Sequence, residues 1–338
     1  MDVNVSSNKQ NEGDPLITVC EEFGLGEMLN TPERIGEGVD KDMVWKVVTT
    51  NGVWAVKANK ATVDPDKVET GVRFERELWD AGISLPLPHL TTSGSGKMLL
   101  PSGQIISVRE WVNAPSASWH PQEREAEPAL LLASLLARLH KGDWTNTGSV
   151  SIWATQRREE PHWAELLAAA RKQDHPWKDA LVEALPRIMW AEEIIENASE
   201  TDDFCMCHLD ANPHNILIVD DQRICIIDWD GAGLASASGE IISVISNWAC
   251  NGNGTPYKDL PARMLEAYRA NGGICDTNSI SIFAQHLVGW LNWIEFQIEL
   301  AISQTSANKI KEMDEAVTNL LVWTQRIEGI PALLQQLS

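Results

Sequence analysis

The sequence predicts an α+β protein in two lobes, a small N-terminal antiparallel sheet carrying one helix and a larger, mainly helical C-terminal part. Three observations carry this. Asn51-Gly52 separates Met43-Val-Trp-Lys-Val-Val48 from Val53-Trp-Ala-Val-Lys57, and Asn-Gly between β-rich runs is the strongest short hairpin signal. Most of the last hundred residues read instead as helices, over 239–250, 260–270, 279–302 and 307–328, with a stop at Asn271-Gly272-Gly273. At 338 residues the chain is long enough that two lobes or domains are the expectation. The boundaries expected are a disordered tail over 1–14, an N-terminal lobe over 15–112 and a C-terminal lobe over 113–338.

In chain order, Arg34-Ile-Gly36-Glu-Gly38-Val39 reads as the first strand and its exit loop. Gly36 and Gly38 make a weak match to a phosphate cradle, because the loop lacks the GxGxxG spacing and carries two carboxylates. An ordinary hairpin loop fits it too. Lys57 ends the third strand. The next segment, 65–82, is a helix. At roughly 100° per residue from Val68, its apolar positions average to the direction in which Glu75 points, while Glu69 and Glu77 point well away. A carboxylate centred in an apolar arc is costly unless paired, so Glu75 is the partner expected for Lys57, with Glu77 taking over if the helix register differs. Met98-Leu-Leu100 and 104–112 form a second hairpin.

The densest chemistry is His208-Leu-Asp210-Ala-Asn-Pro-His-Asn215, followed by Ile226-Ile-Asp228-Trp-Asp230. Asn215-Ile-Leu-Ile-Val219 and Ile224-Cys-Ile-Ile227 read as a hairpin around Asp220-Asp-Gln222, which sets Asp228 beside Asn215. Pro213 stiffens the loop between Asp210 and Asn215. One carboxylate aimed at a nucleophile, with an Asn and a second Asp offering oxygens to a hard divalent ion, is what phosphoryl transfer requires, since catalysis there is mostly positioning and charge neutralisation. The HxDxxxxN spacing resembles the catalytic loop of protein kinases. A competing reading gathers Cys205, Cys207, His208, Asp210 and His214 around zinc, but their spacing matches no usual structural zinc motif. Cys205 and Cys207 read more simply as apolar strand residues.

With Lys57, Glu75, HxDxxPxN and Ile227-Asp-Trp-Asp-Gly-Ala-Gly233 in order, residues 30–330 resemble the aminoglycoside phosphotransferase and choline kinase family. Leu131-Leu-Ala-Ser-Leu-Leu-Ala-Arg-Leu-His140 resembles that family's LAxLH helix. The resemblance implies a protein-kinase-like fold, ATP or GTP with Mg²⁺, and a small-molecule hydroxyl as acceptor. It places Lys57 on the α- and β-phosphates, Asn215 and Asp228 on Mg²⁺, and Asp210 at the acceptor hydroxyl, with His208 anchoring the loop. Backbone groups of Glu110 and Val112, at the exit of the second hairpin, would read adenine. The chain departs from the family where Leu209 replaces a common Gly, and where Glu240 stands for an Asp after the metal strand. Asp230 and Glu240 are therefore candidates for the acceptor side. His140, at a helix end, reads as a structural histidine.

Composition narrows the partners. With 27 basic against 48 acidic residues and a net charge of −21, the chain should repel nucleic acid and anionic lipid and favour a cationic ligand, although acidity also serves solubility. Six cysteines without paired spacing point to a reducing compartment, with the cytoplasm as the default. There is no run of 18 apolar residues to cross a bilayer. Trp is frequent, 15 residues, and in 289–299 the helical angles set Trp290 and Trp293 opposite Glu295 and Glu299, which puts the Trp pair in the core and the carboxylates in water. Within the resemblance, an antibiotic-modifying kinase, a metabolic choline, sugar or amino-alcohol kinase, and a non-catalytic nucleotide-binding relative all stay open.

Overall fold

The computed structural model describes residues 15–35, 43–117, 126–145, 147–157, 162–199 and 202–338. The expected tail and the glycines Gly36 and Gly38 lie outside the described residues. Two compact units emerge, one of residues 1–81 and 85–113, the other of 82–84 and 114–338.

The first unit contains α1 (Pro15–Glu22), β1 (Glu33–Ile35), β2 (Met43–Thr49), β3 (Gly52–Asn59), α2 (Pro65–Asp80), β4 (Pro88–His89), β5 (Met98–Leu99) and β6 (Ile105–Glu110). Its strands form one antiparallel sheet in the order β1-β2-β3-β6-β4, with β5 also on β6. The Asn51-Gly52 turn joins β2 to β3 as expected. Phe23, Leu25, Val47, Trp54, Val56 and Val108 make the core beneath it. Helix α2 starts where Asp64 accepts a hydrogen bond from the Asp66 N–H at 2.9 Å and Pro65 takes the first helical position, which costs nothing because that N–H would be unpaired anyway. It buries Val72, Phe74, Glu75 and Leu78.

The second unit contains α3 (Ala126–Lys141), α4 (Ile152–Thr155), α5 (Trp163–Lys172), α6 (Lys178–Glu196), β7 (Phe204–Cys207), β8 (Ile216–Asp220), β9 (Arg223–Ile226), β10 (Gly233–Ser236), α7 (Ala237–Ala249), α8 (Leu260–Ala270), α9 (Ala284–Ser303), α10 (Ala307–Trp323) and α11 (Ile330–Leu337). Two short antiparallel ladders, β7 with β10 and β8 with β9, carry the motif residues at their ends. Helices α3 and α7 pack against β7, and α8 packs against both helices.

Helix α9 reverses one expectation. Glu295 is 0% exposed and Trp293 is 43% exposed. Trp290 and Glu299 are both half-buried, while Trp293 and Glu295 take the reverse of the expected sides, because burial of a carboxylate depends on a partner from elsewhere. Arg157 supplies it, reaching Glu295 at 3.1 Å and Glu192 of α6 at 2.7 Å, while Trp293 and Phe296 lie tilted together at the surface, 5.9 Å between ring centres.

Candidate active site

The loop between β7 and β8 is held rigid by its own side chains. His208 is fully buried; one ring nitrogen, Nε2, meets the Ile227 carbonyl at 3.1 Å and the other, Nδ1, accepts the Asp210 N–H at 3.2 Å. A carbonyl can only accept, so Nε2 carries the hydrogen and Nδ1 presents its lone pair. Trp229 packs edge-on against this ring, 4.5 Å between centres. His208 therefore spends both nitrogens on the fold, and the zinc reading that used it with Asp210 and His214 does not describe this loop.

Asp210 is gripped from two sides. Asn215 donates to its carboxylate at 2.8 Å and to its carbonyl at 2.9 Å, and Asn212 donates to the other carboxylate oxygen. Burial pushes the Asp210 carboxyl above its ordinary value, and the nearby negative charge of Asp228 acts in the same direction. With both amide hydrogens of Asn215 on Asp210, its side-chain oxygen is the atom left to offer a cation. The Asn215 carbonyl accepts the Ile227 N–H at 2.9 Å, so the backbone of β9 delivers Asp228 next to it. Asp228 is exposed, in left-handed backbone with φ 63°. An amide oxygen and a carboxylate form an oxygen-only donor set, which suits a hard ion such as Mg²⁺. Asp230 is exposed on the short turn that follows.

Helix α7 supports the loop from behind. Asn247 donates to Asn212 at 2.9 Å and Trp248 donates to the Ala211 carbonyl at 2.9 Å. Glu240 was expected to face an acceptor, and the structure corrects this: it is 2% exposed and takes the N–H of His208 at 3.1 Å, the N–H of Leu209, and His140 Nε2 at 2.7 Å. Its carboxylate is fully committed to holding the turn. Leu209, in the place of the family's glycine, has φ 66°, a region that costs a side-chain-bearing residue about 1–2 kcal/mol; the two successive N–H groups closing on one carboxylate offset that cost. Burial alone would push His140 down, but the Glu240 carboxylate overrides it and holds His140 above its ordinary value. Burial would likewise raise Glu240, and His140 with the loop N–H groups holds it low instead. Both shifts favour the charged pair, imidazolium against carboxylate, and His140 also contacts the Tyr268 hydroxyl at 2.8 Å.

In the first unit, Glu75 is buried at the centre of the apolar face of α2, 2% exposed. Both its oxygens meet the guanidinium of Arg109, Nε at 2.6 Å. The sequence assigned Lys57 to Glu75 and gave no hint of Arg109. Lys57 pairs in register with Ser107 across the β3/β6 ladder, so Lys57, Ser107 and Arg109 share one face of the sheet. The Glu110 N–H is spent on the Leu87 carbonyl at 2.9 Å.

Residues 31–271 match the model of the phosphotransferase enzyme family. The chain belongs to that family: it is an enzyme that moves a phosphoryl group onto a hydroxyl of a small molecule. Among solved structures, a spectinomycin phosphotransferase in complex with ADP and spectinomycin is similar at 17% identity, TM-score 0.65, over 92% of this chain and 98% of that one. An amicoumacin kinase matches at 15% identity, TM-score 0.61, over 92% and 93%, and a choline kinase from Streptococcus pneumoniae at 14% identity, TM-score 0.55, over 91% and 99%. These likenesses show the protein-kinase-like fold. No curated protein matches the sequence. No helix is long and apolar enough to cross a membrane, among the described residues.

Proposed function

We propose that this phosphotransferase moves the γ-phosphoryl group of ATP or GTP to a hydroxyl of a cationic, antibiotic-like small molecule, in the cytoplasm. The observation that carries the reading is the grip of Asn215 and Asn212 on Asp210, which orients one half-buried carboxylate that could accept a hydroxyl proton. An ordinary Asp, with a pKa of about 3.9, is a feeble base for an alcohol; Asp210 acts mainly by orienting the oxygen in line and takes its proton late. Asn215 and Asp228 would hold Mg²⁺, which when bound neutralises charge on the phosphates. In the first unit, Lys57 would meet the α- and β-phosphates, with the Glu75–Arg109 pair fixing that face of the sheet. Val112 and the carbonyl of Glu110 would read the base. Gly36 and Gly38 would lie over the phosphates, and Asp230 on the acceptor side.

The net charge of −21 favours a cationic acceptor. It fits a metabolic amino alcohol as well, and the likeness to a choline kinase and to an aminopropanol kinase, the latter with a TM-score of 0.62, supports that second reading. The test is release of ADP or GDP from purified protein with Mg²⁺ across aminocyclitol and aminoglycoside antibiotics, other antibiotics bearing hydroxyls, choline, amino alcohols and sugars. Turnover should appear with a cationic acceptor, and Asp210→Ala should lower kcat at least about a hundredfold with KM changed only a few-fold. Near-parental turnover by that variant would refute the role of Asp210. Thermal stabilisation by nucleotide and Mg²⁺ without turnover on any acceptor would indicate a binding protein that has lost catalysis.

A further inference from the structure

One group of reactive side chains has no part in this chemistry. Cys205 and Cys207 are two apart on β7, so both thiols project from one face of the strand. Their sulfurs are 3.8 Å apart, and a ring nitrogen of His140 lies with them inside a 4.8 Å cluster. Cys207 is buried and Cys205 half-buried, which leaves the pair reachable from one side. All six cysteines are free thiols.

We infer that Cys205, Cys207 and His140 form a binding site for a thiophilic divalent cation of the zinc and cadmium class, set directly behind the catalytic loop. A tetrahedral ion about 2.3 Å from each of two thiolates holds those sulfurs roughly 3.8 Å apart, the span already present. The imidazole nitrogen needs to sit about 3.5 Å from each sulfur, against a present spacing of up to 4.8 Å, a closure of roughly 1.3 Å at most. Water takes the fourth position. Among the described residues no other group of three His, Cys, Asp or Glu ligand atoms gathers this closely. The donor set is soft, unlike the oxygens of Asn215 and Asp228, so the two sites select different metals.

Binding must release protons. Two thiols become thiolates and the His140 imidazolium gives up one ring proton, so up to three protons leave per ion, and the two positive charges of the ion balance the two thiolates. The hydrogen bond shared by Cys205 and Cys207 holds the Cys205 thiol below its ordinary value against burial and, together with burial, pushes the Cys207 thiol well above it, so Cys207 gives up its proton only to the metal. His140 holds Tyr268 on Nδ1 and Glu240 on Nε2, so the ion must displace one of these partners; displacing Glu240 frees the carboxylate that holds the N–H groups of His208 and Leu209. Occupation of the site therefore loosens the loop that carries Asp210 and inhibits phosphoryl transfer, a consequence that rests on the proposed function while the metal site itself does not.

The experiment titrates cadmium into the full chain, kept reduced with a non-thiol reductant and freed of metal beforehand. The thiolate-to-cadmium charge-transfer band should rise to a plateau at one ion per chain, with two to three protons released in weak buffer and affinity increasing with pH. Cys205→Ser, at a half-exposed position that tolerates the change, should weaken binding at least about a hundredfold, and Cys225→Ser should leave it unchanged. Absence of the band, or its persistence in Cys205→Ser, or its loss in Cys225→Ser, overturns the site. In an ADP-release assay zinc should inhibit the parent and spare Cys205→Ser. A full band without inhibition refutes the coupling to the loop alone, and absence of turnover in every condition refutes the kinase reading while the band still decides the site.

Discussion

Replacing Glu240 with Ala probes the support of the loop that carries Asp210. The side chain is 2% exposed, and its removal leaves the imidazolium of His140 and the N–H groups of His208 and Leu209 without their acceptor. Breaking a buried pair by deleting one partner costs about 3–5 kcal/mol, and each orphaned N–H adds up to about 1–3 kcal/mol where water does not reach it. Water entering the vacated space offsets part of the second contribution, so a net loss of about 4–6 kcal/mol is expected. In a unit of this size each kcal/mol moves the melting temperature by about 2–4 °C, giving a fall of roughly 10–20 °C. Glu240→Gln keeps the shape and isolates the charge through its pH dependence. His140, with a raised folded pKa, contributes stability that is full below its unfolded value of about 6.5 and is lost as pH rises through the folded value. Glu240, with a lowered folded pKa, contributes above about 4.3 and loses its contribution as pH falls through its folded value. Urea unfolding of the parent and Glu240→Gln from acid to alkaline pH should show the widest gap between about pH 4.5 and 6.5, narrowing as His140 loses its proton. An Ala variant melting within about 2 °C of the parent, or a gap that does not change with pH, would refute the reasoning.

Arg109→Met leaves Glu75 buried without its guanidinium and should cost about 3–5 kcal/mol in chemical unfolding. The double replacement Glu75→Leu with Arg109→Met should recover most of that loss, and a double variant no better than the single one would count against a buried ion pair. At Leu209, φ 66° is worse for a branched side chain than for a linear one, so Leu209→Ile should destabilise by more than about 1 kcal/mol. Leu209→Gly should melt within a few degrees of the parent, because relief of about 1–2 kcal/mol of strain is offset by about 0.5–1 kcal/mol of extra freedom in the unfolded chain. Equal stability of the Ile and Gly variants would show that the backbone is not strained there.

The hairpins, the helix carrying Glu75 and the HxDxxPxN loop were legible in the sequence because each is a local pattern. Turn residues, alternation and helical period act over a few positions, and HxDxxPxN places its own hydrogen-bonding partners within five residues. The same periodicity found that Glu75 must be buried and paired, but not by what. Arg109 lies 34 positions away, and only the β3/β6 register brings it to the face shared with Lys57. The sequence alone presents Glu240 as a residue for a substrate, but α7 turns it inward onto the loop, 32 residues upstream at His208. On α9 the helical angles separated the Trp pair from the carboxylates correctly, yet gave no means of knowing which side faced in. A charged group is buried or solvated according to the partner that tertiary structure brings to it. Arg157 is that partner for Glu295, and His140 joins Glu240, Cys205 and Cys207 for the same reason. The sequence by itself determined the local chemistry, because bonded neighbours fix it; the fold alone decided which distant charges meet, because their desolvation must be offset in three dimensions.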